Sequence, residues 1–388
     1  MILWNIFIYT DIILFILMAL TVLYMLVFSV ASLFTKHSSI PKAKKHNRFI
    51  ILIPSYKNNK SVEQTVKSAL GQTYPQRMFD ITVISDANDE ITNFHLAQQP
   101  ITLITPKFEK SSKTKSLQLA INNLPQFKIY DVVVVLDAGN VVEPEFLEQI
   151  NDAYEAAGTK AIQAHRLSFN RDTVSARLDA IFEEINNSIF RNGHITLGLS
   201  SATASSGIAF DFTWFKQNIQ SFKATWEDKE LEARLIRQHI YIDYFDSILV
   251  YDEKVRQAED FNRQHRSRML TQLRTIIRNL RYLPTAIFDR HYDLVDKIIQ
   301  WMLIPRMILM AIIIIMSIIT PFIYFTLAVK WWILFAFVLF IFALATPNYL
   351  VDEKWDSTFF KVPVILFSSI LEKFKLGRKF KDFVDLKQ

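Results

Sequence analysis

The sequence predicts an α/β domain with a mostly parallel sheet, set between helices that cross a membrane. Three observations carry this. Short apolar runs rich in β-branched residues alternate with helical segments from Arg48 to Tyr251, the pattern of strands joined by right-handed crossovers. Val132 to Leu136 is an unbroken apolar run that ends at Asp137, as expected of a strand buried on both faces. Uncharged stretches of 23 residues at Ile12–Phe34, 23 at Met307–Val329 and 21 at Trp331–Val351 each reach the roughly 20 residues needed to cross hydrocarbon.

Composition agrees. The 388 residues suffice for a catalytic domain plus a membrane region, and 32 Phe within a 51% hydrophobic chain is high for a soluble protein. The absence of Cys excludes disulfides and thiolate-held metals. A net charge of +6 suits an anionic membrane face or a phosphorylated substrate. It does not suggest a dedicated DNA-binding surface, and no nucleic acid partner is expected.

Taken in order, residues 1–35 read as an amino-terminal transmembrane helix. The Ile12–Phe34 run is too long for the apolar core of a signal peptide, lacks a positive segment before it, and shows no small-residue cleavage site after it. Residues 36–47 are a basic linker, and residues 1–11 hold no Lys or Arg. The positive-inside rule then places the N-terminus outside and the following domain in the cytoplasm. In that domain, residues 48–255, strands are expected at Phe49–Pro54, Ile81–Ser85, Ile101–Ile104 and Asp131–Leu136, with helices at Val62–Leu70 and Lys115–Asn123. Asp86 and Asp137 then fall at strand carboxyl ends, where open α/β sheets bind ligands. Each also has a structural use, Asp86 in a turn with Asn88 and Asp89, and Asp137 as a cap for the helix starting near Pro144.

Residues 256–301 are dense in Arg, with Leu270, Leu273, Ile276, Ile277 and Leu280 at helical spacing. They read as a basic amphipathic helix on a membrane surface, or as a solvated helix of the domain. Residues 302–351 form a helical hairpin whose turn is expected at Lys330-Trp331-Trp332. Within 352–388, Phe359–Leu371 reads as interfacial or re-entrant, and the basic Lys373–Lys381 tail as cytoplasmic.

A series of motifs adds to this: IPSYKNN (53–59), QTYP (72–75), VISDAND (83–89), KTKSLQLAIN (113–122), LDAGN (136–140), IQAHR (162–166), SSGIAF (205–210), TWEDKELEARL (225–235) and FNRQHRSRM (261–269). In this order, between these membrane segments, they resemble the membrane-bound family-2 glycosyltransferases, the group containing cellulose, chitin and hyaluronan synthases. The resemblance implies a cytoplasmic GT-A-type (Rossmann-like) domain that transfers a sugar, with inversion, from a nucleotide-sugar such as a UDP-sugar. It implies that Asp228 is the general base, with Glu227 beside it and Trp226 stacking on a sugar ring. It implies that Asp86 meets the nucleoside, that Asp137 holds Mg2+ or Mn2+, and that Ser206 and Gly207 form an acceptor-side turn. Lys115, at a helix start, and Gln264, Arg266 and Arg268 are then suited to the diphosphate. The same residues also serve blander purposes: a solvated lysine, a helix N-terminus rich in acids, and arginines on lipid headgroups.

Two positions depart from the family pattern. The second acid of the metal motif is Gly139, which is expected to weaken the metal, so that Gly139→Asp is expected to raise activity or sharpen Mn2+ dependence. The aromatic residue that closes the Gln/Arg motif is replaced by Met269 or Arg268. A nucleotide-sugar-binding subunit without activity, in a polysaccharide synthesis or export complex, is the alternative. Three helices enclose no lumen wide enough for a sugar. Either the chain associates with itself or another membrane protein, or it makes a short product on a glycan or lipid-linked acceptor.

Overall fold

The computed structural model describes residues 2–35, 40–222, 228–253 and 272–350. Helix α1 (Ile2–Ser32) leads into a mixed eight-stranded sheet: β1 (Phe49–Tyr56), β2 (Phe79–Asp86), β3 (Thr102–Ile104), β4 (Val132–Val135), β5 (Asn140–Val142), β6 (Ala161–Ser168), β7 (Ile208–Asp211) and β8 (Ile242–Asp252). Their order is β3-β2-β1-β4-β7-β6-β8-β5. Alternation along β1 shows why the sheet is buried on both sides. Ile50 and Leu52 enter one core, while Phe49, Ile51 and Ile53 enter the other. Helices α2 (Asn59–Leu70) and α5 (Phe146–Ala157) line the second face; α4 (Lys113–Asn122), α8 (Phe212–Ile219) and α9 (Asp228–Arg237) line the first. Helix α3 (Glu90–Ala97) connects β2 to β3.

The half of the sheet from β3 to β4 is parallel, as expected. The other half is mixed: β6 and β8 run parallel. β7 runs antiparallel to both β4 and β6, and β5 antiparallel to β8. The cause is the long excursion after β6, through α6 (Val174–Ile185), a π-helical stretch (Asn186–Asn192) and α7 (Gly193–Thr196). The chain returns at the edge where β4 ends, pairing Ile208 with Val135. The turn before β7 therefore lies at the same edge as Asp137.

Of the segment read as amphipathic, residues 256–271 lie outside the described residues; the rest forms α10 (272–279), a 3₁₀ turn (Leu280–Tyr282), α11 (Leu283–Phe288) and α12 (Tyr292–Met302). Pro284 begins a new helix, and Arg290 takes a left-handed backbone. Ala286, Leu294, Ile298 and Trp301 pack into the core with Phe215, Phe222 and Leu231. The outer side keeps Ile277 and Phe288 exposed.

Helices α13 (Arg306–Ile323) and α14 (Phe325–Ala345) follow, and together with Trp4–Ser32 they are long and apolar enough to cross a membrane. The hairpin breaks at Tyr324, in extended conformation, so Lys330-Trp331-Trp332 lies inside α14. The helix accommodates the charge because Lys330 bonds the Asp11 carboxylate of α1, and the Trp331 indole N–H donates to Asp11 Oδ1 at 2.8 Å. Met18, Val22, Met25 and Phe28 of α1 form one stripe, packed with Leu178 and Ile185 of α6 and with α13 and α14.

Helix α1 approaches α7 more closely than any side chain allows: a Cβ on Gly193 would lie 2.2 Å from the Phe28 carbonyl oxygen. Gly193→Ala is therefore expected to destabilise the protein by about 1–3 kcal/mol through forced separation of the backbones. Gly71→Ala, where a Cβ meets nothing closer than 3.4 Å, is the control. Equal melting temperatures for the two variants in detergent would refute the contact.

Candidate active site

The parallel strands end together. Asp86 closes β2 opposite Tyr56 of β1, and β4 stops at Val135 opposite Leu52. Asp86 and Asp137 thus share one edge, two strand spacings, or about 10 Å, apart. The turn after β2 is built by its neighbours. Asn88 accepts from the Asn58 backbone N–H at 2.8 Å and donates to Ser55 and Ser85, while Asp89 caps α3. Asp86 is only 3% exposed, and among the described residues no hydrogen bond reaches its carboxylate. Such a group normally has a partner, and a nucleoside hydroxyl or base N–H would supply one.

Asp137 meets Lys113. The Lys113 ammonium bonds both the Asp137 carboxylate and the Ser205 carbonyl oxygen. Lys115, singled out from the sequence, turns away to the Lys110 carbonyl at 2.9 Å. The signal that separates them is helical periodicity. Leu117 and Ile121 are buried, and Lys113 lies four and eight residues before them on the same face, whereas Lys115 does not.

The turn preceding β7 is held from β6 by Gln163. Its amide donates to the carbonyls of Ser206 (3.2 Å) and Gly207 (3.1 Å), and its Oε1 accepts from the Ala204 N–H at 2.7 Å. Gln163 is buried and was not singled out from the sequence. Gly207 has φ +65 and sits against Val250, and the Ser206 hydroxyl is buried without a partner among the described residues. Lys113, Val135, Ser205 and Leu231 line one cleft, so α4, β4, this turn and α9 converge there.

Asp228 is the first residue of α9, three before Leu231 on the helix. Its side chain lies outside the described residues, as do Trp226, Glu227, Gln264, Arg266 and Arg268. The position of α9 itself is fixed by Glu232, fully buried. Its carboxylate accepts from Lys229 at 2.8 Å and faces Lys297 of α12 at 3.7 Å. Burial pushes the Lys297 ammonium below the usual lysine range, against the pull of Glu232 and Asp296. The next residue back, Asp296, accepts from the Tyr24 hydroxyl of α1 at 2.7 Å and lies 3.2 Å from His194.

Among the described residues, those around Asp137 do not fit a divalent cation. Gly139 has φ +107, a conformation that L side chains rarely adopt, and its N–H donates to Thr65. The Asn140 amide is spent on the Asp137 N–H and on Asp252, both at 2.9 Å. Asp252 is paired in turn with Arg166. Glu253, whose Cβ would lie 3.8 Å from a Cβ on Gly139, turns its carboxylate to Ser61, whose hydroxyl donates to it at 2.9 Å. Among the described residues no three acids or histidines converge. Gly139 thus answers to the backbone, which revises the expectation that an acid there would repair a metal site.

A family model described as "Glycosyltransferase like family 2" matches residues 46–275. The chain belongs to this family of glycosyltransferases. The fold is that of a solved mannosyltransferase from Pyrobaculum calidifontis in complex with GDP-Man and Mn2+: TM-score 0.54 at 12% identity, covering 85% of this chain and 96% of that one. TarS residues 1–349 from S. aureus give a TM-score of 0.44 at 12% identity, over 85% and 92% of the two chains. A comparison with curated protein sequences found no match.

Two outcomes are expected. Gly139→Asp will lower stability by about 1–3 kcal/mol through backbone strain, read as a lower melting temperature; an unchanged one would contradict the assigned φ. Lys297→Met will cost about 3–5 kcal/mol by removing the buried cation that faces Glu232 Oε1 and leaving that carboxylate to Lys229 alone. Adding Glu232→Gln will recover much of that loss, and a double variant that merely sums the single losses would show the two groups uncoupled.

Proposed function

We propose that this chain is an integral-membrane, inverting glycosyltransferase that moves a sugar from a nucleoside-diphosphate sugar to a glycan or lipid-linked acceptor. The observation that carries the reading is one cleft at the carboxyl edge of the sheet, lined by Lys113, Val135, Ser205 and Leu231 of α9, with Asp137 bonded to Lys113. The partnerless Asp86 at that edge suits the nucleoside. Asp228, heading α9, takes the proton of the acceptor hydroxyl. The freed oxygen attacks the anomeric carbon from the face opposite the diphosphate, the C–O bond to phosphate breaks, and the nucleoside diphosphate carries away the electron pair. A single in-line displacement inverts the centre, so an α-linked donor gives a β-linked product.

The donor remains a class: UDP-sugars, from the sequence resemblance, and GDP-sugars, from the mannosyltransferase of like fold. The three apolar helices and the basic residues after α1 support a membrane placement with the domain on the cytoplasmic side of a plasma or inner membrane. Self-association or a partner membrane protein completes any path for a long product. Gly139 favours a second reading, a subunit that binds nucleotide-sugars without turnover.

The test is release of nucleoside diphosphate from a panel of UDP- and GDP-sugars by the full chain in detergent. Asp228→Asn is expected to lower the rate about 10²–10⁴-fold while leaving nucleotide affinity within a small factor. Wild-type turnover by this variant would remove Asp228 from its role. Nucleotide binding without any turnover in the wild type would establish the second reading.

A further inference from the structure

We propose that the donor is activated here without a divalent cation, the Lys113 ammonium held by Asp137 and Ser205 meeting the charge of the diphosphate in its place. The inference rests on the transferase reading above and concerns how the same cleft handles the leaving group.

A departing diphosphate gathers negative charge, and some fixed positive group must meet it. Mg2+ is held through one or two carboxylates plus phosphate oxygens, in near-octahedral geometry and at short distances. Among the described residues, the carboxylate of the acidic motif, Asp137, is already engaged by Lys113. The second position of the motif is a glycine whose φ of +107 strains any side chain placed there, and the neighbouring amide of Asn140 is consumed at both ends. The Asn140 amide and the Gly139 backbone thus build the turn, and the Asp137 carboxylate holds Lys113.

The same geometry provides the replacement. An ammonium has three N–H donors. Two are taken, by the Asp137 carboxylate and the Ser205 carbonyl oxygen. These fix the nitrogen in the cleft wall, one quarter exposed, and leave a third donor for a phosphate oxygen. Lys113 is also the first residue of the ten-residue helix α4, whose cap Ser112 accepts from the Lys115 N–H, so the helix field adds to the charge at that point. Asp137 then acts as a positioning residue for a lysine rather than as a metal ligand. In the group transfer the lysine gains and loses no proton: its N–H shifts its hydrogen bonding toward the phosphate oxygen as the anomeric C–O bond breaks and the acceptor proton passes to Asp228.

The experiment is calorimetric titration of the full-length protein in detergent with UDP, GDP, CDP and ADP, each in EDTA and in Mn2+. The expected result is that one nucleotide binds with nearly the same affinity in both buffers. Lys113→Met is expected to weaken it by about tenfold or more in EDTA, the size of one hydrogen bond to a charged group. Asp137→Asn is expected to weaken it less, and without creating or abolishing a metal effect. A tenfold or greater tightening by Mn2+ in the wild type would overturn the proposal and leave the transferase reading intact. So would unchanged binding by a Lys113→Met protein that melts normally. If Lys113→Met fails to fold, Lys113→Arg, which keeps the charge, serves in its place: it must bind in EDTA as the wild type does, and a gain of Mn2+ dependence in it would overturn the proposal. Absence of binding by all four nucleotides in either buffer would overturn both the transferase reading and this proposal.

Discussion

The burial of β4 on both faces is the constraint on which the site depends. Val132, Val133, Val134 and Val135 sit between β1 and β7 with at most 3% exposure. A strand without polar side chains can end only where its next polar residue escapes the two cores, and that residue is Asp137. The turn that follows has to satisfy its own backbone at once, and it does so through Asn140 and Gly139. Because β1 and β2 run parallel to β4, their ends reach the same edge, and because β7 runs against it, β7 begins there. Sheet direction, rather than any one motif, brings Asp86, Asp137 and the Ser205–Gly207 turn together.

Much of this was legible in the residues. The parallel strands, their order of appearance and the aspartates at their ends follow from apolar runs closed by polar turns. Other features were hidden for definite reasons. β7 is four residues long and enters after an excursion of some forty residues, so no crossover pattern marks its direction. Lys113 and Lys115 are both helix-start lysines by composition, and only the phase of Leu117 and Ile121 separates them. Lys330 looks like a turn residue until Asp11, far away in the chain, is seen beside it. The Arg-rich segment after the domain shows helical spacing, but nothing local reveals that its buried face belongs to the core around Leu231.

Helix α12 joins regions that the sequence presents as separate. Asp293 accepts from the Ser200 N–H at 2.8 Å, Asp296 takes the Tyr24 hydroxyl of α1, Lys297 faces Glu232 of α9, and the Trp301 carbonyl accepts from Gln272 at 2.7 Å. The helix that leads into α13 thus also fixes the helix that begins at Asp228. Charged groups at zero exposure are costly, and such pairs are retained where they define one arrangement among several of similar energy. Here the arrangement defined is that of the chemistry relative to the apolar helices.

The Asp11–Lys330 pair has a consequence for the order in which the molecule is made. The partners are 319 positions apart, so on the ribosome the first helix is finished before its counter-charge exists. In the proposed membrane placement, α1 waits in the bilayer without its partner while the whole sugar-transfer domain is synthesised behind it. Helix α14 then arrives carrying a lysine that lipid alone receives poorly, and meets the one helix able to accept it. A chain that loses its first helix leaves that lysine without the carboxylate that receives it.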